Sequence, residues 1–273
     1  MESFLTWSIQ QTNSKKRLIK LAPPNTFYNE EDVRCCERYE VKYKLNLNDY
    51  QSWLLYFFSE NDSSFGLLKH LKEGDVVIDV GGNIGQTALM MAKRVGNSGR
   101  VYSFEPYTRT YDRFRENLAL NPNIQNIILN KLALGAKAEK LTMYVENEKN
   151  SGGNRIKPLN KEVHTETEEV EITTLDEYIK SNSISKVDLI KVDVEGFEMK
   201  VLLGSQATIQ KFKPALFIEA NDINLKAQGD SLQLMNDFLR KNGYIIFNPD
   251  NDMELNLGWE SDFKGSDIYC KFM

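Results

Sequence analysis

The sequence predicts an α/β fold built on a doubly wound, mostly parallel sheet. From Gly74 onward, short apolar runs typical of strands alternate with segments of helical periodicity. The first apolar run, 76–80, is followed at once by a glycine turn and then by a predicted helix. Glycines allow a ligand to approach the backbone closely, and a helix N-terminus offers unpaired N–H groups. We therefore expect a nucleotide-type ligand at this turn.

The remaining elements follow from the same patterns. Apolar, β-branched runs predict seven strands, at 76–80, 100–105, 127–130, 189–193, 215–219, 244–248 and 267–272. Helices are predicted at 86–95, 108–121, 175–181, 198–204 and 231–242. Because only an irregular segment separates the last two strands, we expect an antiparallel pair at one edge of the sheet.

Residues 1–72 have a different sequence pattern from the rest of the chain. They are predicted to form an N-terminal appendage to a main domain at 73–273. Alternation over 39–47 predicts a half-buried strand, and 65–71 a short helix. The apolar segment 53–58 lies between them. Aromatic residues of this region would line an acceptor pocket, form a homodimer contact or simply pack on the core; they are Trp7, Phe27, Tyr28, Trp53, Tyr56 and Phe57.

One long segment, 146–169, is predicted to be a loop. It contains the run Ser151-Gly152-Gly153-Asn154 and then an acidic stretch that we expect to be solvated. Loops of this length are uncommon in compact domains unless they are functional lids or disordered segments. A lid or substrate loop and an inert insertion both remain open.

Composition excludes several classes of function. The chain has 273 residues and a formal net charge of −5, which argues against a nucleic-acid partner. No apolar run approaches the roughly 20 residues of a membrane span. The first residues lack the pattern of a signal peptide, and the three cysteines, Cys35, Cys36 and Cys270, are expected to be reduced thiols. We therefore expect a cytoplasmic location.

Ligands of open parallel sheets bind outside the carboxyl ends of the strands. The first strand presents Asp79 and the glycine turn there, and the second presents Glu105, 26 residues beyond Asp79. An acid at that distance accepts hydrogen bonds from ribose hydroxyls, although it would also serve as a helix cap. Later strands add further polar side chains at this edge, namely Lys191, Asp193, Glu195 and Glu219.

The glycine pattern distinguishes between ligands. A dinucleotide fingerprint, Gly-x-Gly-x-x-Gly, is missing, and Asp79 stands two residues before the first glycine. A carboxylate there repels a pyrophosphate and favours a cationic group. An adenosine carrying an amino-acid tail and a sulfonium therefore fits better than NAD. An NAD-type oxidoreductase and a catalytically silent cofactor-binding or scaffold protein stay as alternatives.

Asp79-x-Gly81-x-x-x-Gly85 followed by Glu105 resembles the cofactor site of class I S-adenosylmethionine-dependent methyltransferases. More narrowly, the chain resembles the FkbM family, on segments 74–85, 102–106, 173–176, 190–198 and 216–219. The resemblance implies a Rossmann-like sheet of seven strands with an antiparallel edge. It also implies O-methylation of a small-molecule or glycan acceptor such as a sugar or a natural product. Gly82 departs from the family, in which alanine is commoner, but its small size preserves the role.

The resemblance also assigns roles to residues. The methionine part of S-adenosylmethionine would be held by Asp79 and the turn, whose residues include Gly81, Gly82, Asn83 and Gly85. Glu105 would hold the ribose, beside Pro106, and the start of the segment Asn130-Lys131-Leu132-Ala133 would border the adenine.

A hydroxyl acceptor has to lose a proton, and a general base assists that step. We predict Asp193 as the base or as a group that positions the acceptor, with Lys191 and Glu195 shaping it and Glu219 as a second candidate. Alternatively, Asp193 and Glu195 cap the helix that begins near Glu198. A divalent metal on Asp193, Glu219 and Asp222 is chemically conceivable but not favoured, and no metal ligand is predicted.

Overall fold

The computed structural model describes residues 22–58, 64–145, 149–156, 166–257, 263 and 265–273. Its strands are β1 (Val33–Arg38), β2 (Val41–Asn46), β3 (Val76–Val80), β4 (Arg100–Phe104), β5 (Ile127–Asn130), β6 (Ala133–Leu134), β7 (Glu139–Val145), β8 (Glu166–Thr173), β9 (Leu189–Val192), β10 (Ala215–Ala220), β11 (Tyr244–Phe247) and β12 (Ser266–Phe272). Its α-helices are α1 (Tyr50–Phe58), α2 (Ser64–Leu68), α3 (Gln86–Val95), α4 (Thr108–Ala119), α5 (Leu175–Ser181), α6 (Glu198–Leu203), α7 (Gln206–Phe212), α8 (Asp222–Ala227) and α9 (Leu232–Lys241).

The central sheet has seven strands in the order β11-β12-β10-β9-β3-β4-β5. Strands β5, β4, β3, β9 and β10 are parallel, whereas β12 runs antiparallel between β10 and β11. This confirms the α/β fold class, all seven predicted strands and the antiparallel edge. Residues 105 and 193 lie just past the ends of their strands, at the carboxyl edge of the sheet.

Two apolar layers cover the faces of this sheet. Ile78 and Val80 of β3 pack on one side, in a cluster that includes residues of α5, α6 and α9. Val77, from the same strand, packs on the other side with residues of α3 and α4. Successive strand side chains point to opposite faces, so a central strand covered on both sides must be apolar almost throughout. That requirement explains why the sequence showed these strands so clearly.

The N-terminal region adds a hairpin, β1–β2, to the second layer. Val41, Tyr43 and Leu45 are fully buried there, and the lysines between them are exposed, so the predicted alternation is confirmed. Its start is corrected: Tyr39 has φ of 55° and belongs to the turn between β1 and β2. The division at residues 72 and 73 stays a prediction, but the buried face of the hairpin shares one hydrophobic cluster with Val77.

The aromatic residues of this region separate into two groups. Tyr28, Trp53 and Phe57 are buried in one cluster, so core packing is observed for these three, whereas Phe27 is 78% exposed. The apolar segment 53–58 lies within α1. Trp7 is outside the described residues.

The prediction of a loop across 146–169 is wrong in part. Strand β8 begins at Glu166 and pairs with β6 and β7 in a separate three-stranded sheet. Residues 146–148 and 157–165 lie outside the described part of the chain. The acidic stretch is not simply solvated, because Glu168 accepts hydrogen bonds from the backbone and side chain of Thr108 at the start of α4. A carboxylate is favourable at a helix N-terminus.

None of the three cysteines is in a disulfide: Cys35 is exposed, Cys36 is partly buried and Cys270 is buried. Their reduced state stays a prediction. Within the described ranges, no helix has both the length and the apolar character needed to cross a bilayer.

Candidate functional site

The centre of the site is the register between β3 and its two neighbours. Asp79 lies opposite Lys191 of β9 on one side and opposite Ser103 of β4 on the other. Asp79 is fully buried, and its Oδ2 accepts a 2.6 Å hydrogen bond from the Ser103 hydroxyl. Lys191 Nζ lies 3.4 Å from Asp79 Oδ1. The buried carboxylate is therefore held from both sides before any ligand is considered.

Lys191 connects this carboxylate to the next predicted site residue. Its Nζ lies 3.3 Å from Asp193 Oδ2 and donates a 2.8 Å hydrogen bond to the carbonyl of Gly81. Burial on its own would lower the pKa of Lys191, but Asp193 and Asp79 outweigh burial and raise it above the usual value. Lys191 is therefore a permanent cation between two carboxylates.

Two positions of the turn must be glycine because neighbouring groups lie too close to the backbone for a side chain. Gly81 has φ of 87°, and a Cβ there would stand 1.9 Å from the carbonyl oxygen of Asp193. Gly85, also at φ of 87°, precedes α3, and a Cβ would meet the ring of Phe114. Neither position tolerates a side chain. The turn is thereby packed directly against the end of β9, where Asp193 follows.

Gly82 has a different reason to be glycine. Its backbone is ordinary, but a Cβ would lie 2.4 Å from Ser103 Oγ, the hydroxyl that binds Asp79. The departure from alanine at this position therefore matches the serine on the neighbouring strand. Ser103 was not among the predicted site residues, because nothing local in the sequence relates it to Asp79.

Glu105 is buried at the end of β4 and already has three protein donors. Its Oε2 accepts from the Asn83 N–H at 2.8 Å, and its Oε1 accepts from the Tyr107 N–H at 3.0 Å and the Thr110 hydroxyl at 2.7 Å. Glu105 therefore does cap the start of α4, as the alternative interpretation held. A carboxylate has about four acceptor sites, so one remains on Oε2 for a ribose hydroxyl. Burial raises the pKa of Glu105.

A pocket with an empty volume of about 370 Å³ opens beside these groups. It is lined by three of the predicted cofactor residues, Gly81, Pro106 and Ala133. Most of its other walls are apolar: Val80, Phe104, Leu132, Leu134, Met143, Ile156, Val194 and Phe197. An apolar slot next to Glu105, the acid predicted to bind ribose, suits an adenine ring.

Polar groups of the pocket come from the segment that was predicted to be a loop. Asn154 and Arg155 line it, and Asn154 Oδ1 is a buried atom with no hydrogen-bond partner among the described residues. An unpaired buried acceptor is costly and is a natural partner for a ligand N–H. The Gly-Gly run before Asn154 was the available signal. The residues present thus fit an adenosine that carries an amino-acid tail and a sulfonium.

The predicted catalytic acids converge around the ends of β9 and β10. The side chain of Asp193 is 48% exposed and contacts Lys191. Glu219, at the end of β10, has a buried Oε2 without a hydrogen-bond partner among the described residues. Burial, followed by repulsion from Asp193, Glu195 and Asp267, raises the pKa of Glu219 to about 8.

Glu195 is engaged by the protein itself. Its Oε2 accepts from Arg155 Nη2 and from Asn224 Nδ2, each at 2.9 Å. The N-cap residue of α6 is Phe197, whose own side chain makes no capping hydrogen bond. The alternative that Asp193 and Glu195 cap this helix stays a prediction.

Glu198 begins α6, as predicted, and its side chain also closes the turn that precedes this helix. Its Oε1 accepts from the N–H groups of Val194 and Gly196, at 3.1 and 3.0 Å. It is 1% exposed, and burial raises its pKa to about 8. A neutral carboxyl therefore supports the turn that carries Asp193 and Glu195.

Asp222 does not join this group. Its Oδ1 accepts the Leu232 N–H at 3.1 Å, and its Oδ2 pairs with Lys226 at 2.5 Å. Within the part of the chain that the structure describes, no three His, Cys, Asp or Glu side chains are grouped so as to hold a metal ion. The three-carboxylate arrangement considered from the sequence is therefore not assembled.

Comparison with known proteins identifies relatives of this chain. A hexuronic acid methyltransferase, AglP, of Haloferax volcanii is 29% identical over 144 residues, which cover 53% of this chain and 55% of that protein. Methyltransferase 1 of Beauveria bassiana is 30% identical over 146 residues, which cover 47% of this chain and 57% of that protein. The chain thus spans about half the length of the curated relatives it matches.

A solved methyltransferase FkbM of Methylobacillus flagellatus aligns with a TM-score of 0.48 and 17% identity, over 82% of this chain and 52% of that one. The sequence model of the methyltransferase FkbM domain matches residues 79–246, more than half of the chain, from the buried Asp79 into β11. The chain belongs to the FkbM methyltransferase family.

Proposed function

We propose that this chain transfers the methyl group of S-adenosylmethionine to a hydroxyl group of a sugar-type or related small-molecule acceptor. The observation that carries the proposal is the placement of Asp79 and Glu105 at the ends of adjacent parallel strands, on either side of the glycine turn. The pocket formed by Gly81, Pro106 and Ala133 lies beside them. Membership of the FkbM family supports the same donor.

The charge of the site favours a cationic donor. Two carboxylates, Asp79 and Asp193, share the single ammonium of Lys191, so this group carries a net negative charge. The ammonium group of the amino-acid tail and the sulfonium are attracted to it, whereas a pyrophosphate is repelled. This disfavours the NAD-type alternative on the same grounds as the missing Gly-x-Gly pattern.

In the proposed reaction the acceptor oxygen forms a bond to the methyl carbon as the carbon–sulfur bond breaks. The electron pair of the broken carbon–sulfur bond stays on sulfur. The protein's part is to align the acceptor and to take its proton. Alignment can supply roughly 7–11 kcal/mol of a barrier of this type. The walls built by the glycine turn and Phe197 would restrict where the donor lies.

We assign Asp193 as the general base or the group that positions the acceptor hydroxyl. Its partly exposed carboxylate is accessible to a ligand, and Lys191 contacts this carboxylate at the end of β9. The backbone carbonyl of Asp193 packs against Gly81. General-base assistance contributes about a hundredfold to ten-thousandfold. Glu195, tied to Arg155, shapes the site rather than accepting the proton.

Glu219 is the second candidate base. With a pKa of about 8 it is mostly protonated at neutral pH and donates rather than accepts a hydrogen bond. If it were the base, activity would rise as pH passes 8. With Asp193 as base and neutral Glu219 as a donor to the acceptor, activity would instead fall above that pH.

The acceptor class is proposed from the relatives. One of them is named for hexuronic acid, a sugar that carries a carboxylate. We propose a glycan or a natural product with a sugar-like hydroxyl. A cytoplasmic location and a homodimer remain proposals, which fractionation and light scattering would test.

Donor binding is tested on the purified full chain by calorimetry and thermal melting with S-adenosylhomocysteine and with NAD. A ligand at a hundred times its Kd adds about 2.7 kcal/mol to stability. We expect stabilisation by S-adenosylhomocysteine alone and loss of binding in Glu105→Ala. Well-folded protein that responds to NAD, or to neither ligand, would overturn the proposal.

Chemistry is tested by measuring S-adenosylhomocysteine release with an acceptor panel that includes hexuronic acids and their glycosides. Asp193→Asn is expected to lower kcat by about a hundredfold or more while donor affinity changes little. Asp112→Asn, on the exposed side of α4, is the matched control. Turnover by wild-type protein with equal activity in Asp193→Asn would rule out this residue as the base, and donor binding without turnover across the panel favours the silent alternative.

A further inference from the structure

Residues 149–156, which we call the pocket segment, form one wall of the cofactor pocket through Asn154, Arg155 and Ile156. The segment connects two distant parts of the chain. The carbonyl of Lys149 accepts hydrogen bonds from the Tyr50 N–H at 2.8 Å and from Asn25 Nδ2 at 3.2 Å. The N-terminal region therefore supports one end of this wall.

The other end is held by Arg155. Its backbone pairs with Tyr144 of β7 in both directions, at 2.7 and 3.1 Å. Arg155 is 8% exposed. Its guanidinium donates to Glu195 Oε2 at 2.9 Å, Asn224 Oδ1 at 3.1 Å and the Gly153 carbonyl at 3.3 Å. The fork shape of arginine is what allows one side chain to bind three acceptors at once.

Asn224 completes the arrangement, because its Nδ2 also donates to Glu195 Oε2 at 2.9 Å. Glu195 stands at φ of 56°, in the left-handed region, and Gly196 follows at φ of 100°. The backbone of Gly196 is pressed against Asn224, since a Cβ there would lie 2.3 Å from the Asn224 carbonyl oxygen. Arg155 thus docks onto a turn whose geometry is rigidly determined.

We infer that Arg155 is a positioning residue, which sets the pocket segment against the turn at Glu195 and so determines the shape of the wall that faces the cofactor. This inference rests on the proposed donor site and adds to it. It assigns Glu195 a role as the anchor of the wall.

The test uses the full-length chain and measures the Kd of S-adenosylhomocysteine by calorimetry. Arg155→Gln and Glu195→Gln each remove one partner of the pair, and we expect each to raise the Kd roughly tenfold. The double variant should be no more than about twofold weaker than either single variant, because both changes break one interaction. Arg115→Gln, at an exposed arginine of α4, is the control and should leave the Kd unchanged.

Hydrogen exchange supplies a readout that a general loss of stability would not reproduce. Amides of the pocket segment should exchange faster in Arg155→Gln and Glu195→Gln, while those of β3 and β4 stay protected. Arg155→Lys, which keeps the charge but not the fork, should have an intermediate Kd. If Arg155→Gln does not fold, Glu195→Gln and Arg155→Lys carry the test.

Wild-type protein that does not bind S-adenosylhomocysteine contradicts the proposed function itself. Wild-type binding together with an unchanged Kd in Arg155→Gln contradicts only the positioning role. A weaker Arg155→Gln beside an unaffected Glu195→Gln would also overturn it, because Arg155 would then act by touching the ligand rather than by pairing with Glu195.

Discussion

Lys191 Nζ and Asp79 Oδ1 lie 3.4 Å apart on adjacent parallel strands, and both side chains are buried. The same ammonium binds the Gly81 carbonyl and approaches Asp193. One lysine therefore ties the start of the glycine turn to the candidate base at the end of the next strand. The donor side and the acceptor side of the proposed site share a single buried cation.

Replacing Lys191 by methionine should therefore affect both stability and binding. The change leaves Asp79 as a buried, uncompensated charge, and breaking a buried pair in this way costs about 3–5 kcal/mol. Urea denaturation should show that loss, and calorimetry should show weaker binding of S-adenosylhomocysteine. Lys186→Met, which removes an exposed pair with Asp188, should cost about 1 kcal/mol or less. Equal effects of the two substitutions would contradict the central role of Lys191.

Gly82→Ala should be destabilising in a way that depends on Ser103. The added Cβ would stand 2.4 Å from Ser103 Oγ and 3.0 Å from the Phe114 ring, so the serine must move away from Asp79. In the double variant with Ser103→Ala the closest clash is absent. We expect the double variant to lose less stability than the sum of the two single variants, by about 1 kcal/mol or more, as measured by denaturation. Strict additivity would show that Ser103 is not the obstacle at Gly82.

Glu198→Gln should change how stability depends on pH. The folded-state pKa of Glu198 is about 8, above the ordinary 4.5. The stabilisation by its bound proton is fully present below pH 4.5 and is lost as pH rises through about 8. Glutamine keeps the acceptor oxygen for the N–H groups of Val194 and Gly196 without this titration. The Tm of the variant relative to wild type should therefore rise by several degrees between pH 5 and pH 8.5.

The control for this experiment is Glu37→Gln, at an exposed position of β1, which should shift Tm equally at both pH values. Glu219 titrates in the same window and its charge contributes to the raised pKa of Glu198, so the difference from wild type includes the interaction between the two carboxyls. A Tm difference that does not grow with pH would mean that the Glu198 carboxyl ionises without penalty in the folded protein.

Asn117→Ala should weaken the link between the N-terminal hairpin and the glycine turn. The Asn117 side chain is fully buried, accepts the Lys44 N–H at 2.8 Å and donates to the Ile84 carbonyl at 2.9 Å. Leaving such groups unsatisfied costs about 1–3 kcal/mol. We expect that loss of stability together with a severalfold higher Kd for S-adenosylhomocysteine.

Asn121→Ala provides the matched comparison for Asn117. Asn121 binds the N–H and the carbonyl of Lys42 on the same strand, but its hydrogen bonds do not reach the glycine turn. The variant should lose similar stability and keep its affinity for S-adenosylhomocysteine. If both variants bind equally, Asn117 supports the fold alone.

How far the sequence predicted this structure depends on where each element lies. Strand β9 is covered on both faces, so its apolar run was visible despite Lys191. Strand β8 buries only Val170 and Ile172 and is otherwise rich in glutamate, which resembled a solvated loop. Helices α7 and α8 are short and were not predicted either. Local pattern indicates elements of the central sheet because burial constrains their composition, and it indicates peripheral elements poorly.

The sequence by itself determined the central sheet, the antiparallel edge, the glycine turn after Asp79 and the acid at Glu105, because each leaves a mark within a few residues. Only the tertiary structure decided which side chains meet across the chain. Ser103 is 24 residues from Asp79, and Arg155 is 40 residues from Glu195. Such pairs are selected by strand register and by the packing of the pocket segment, neither of which is encoded in the spacing of residues along one element.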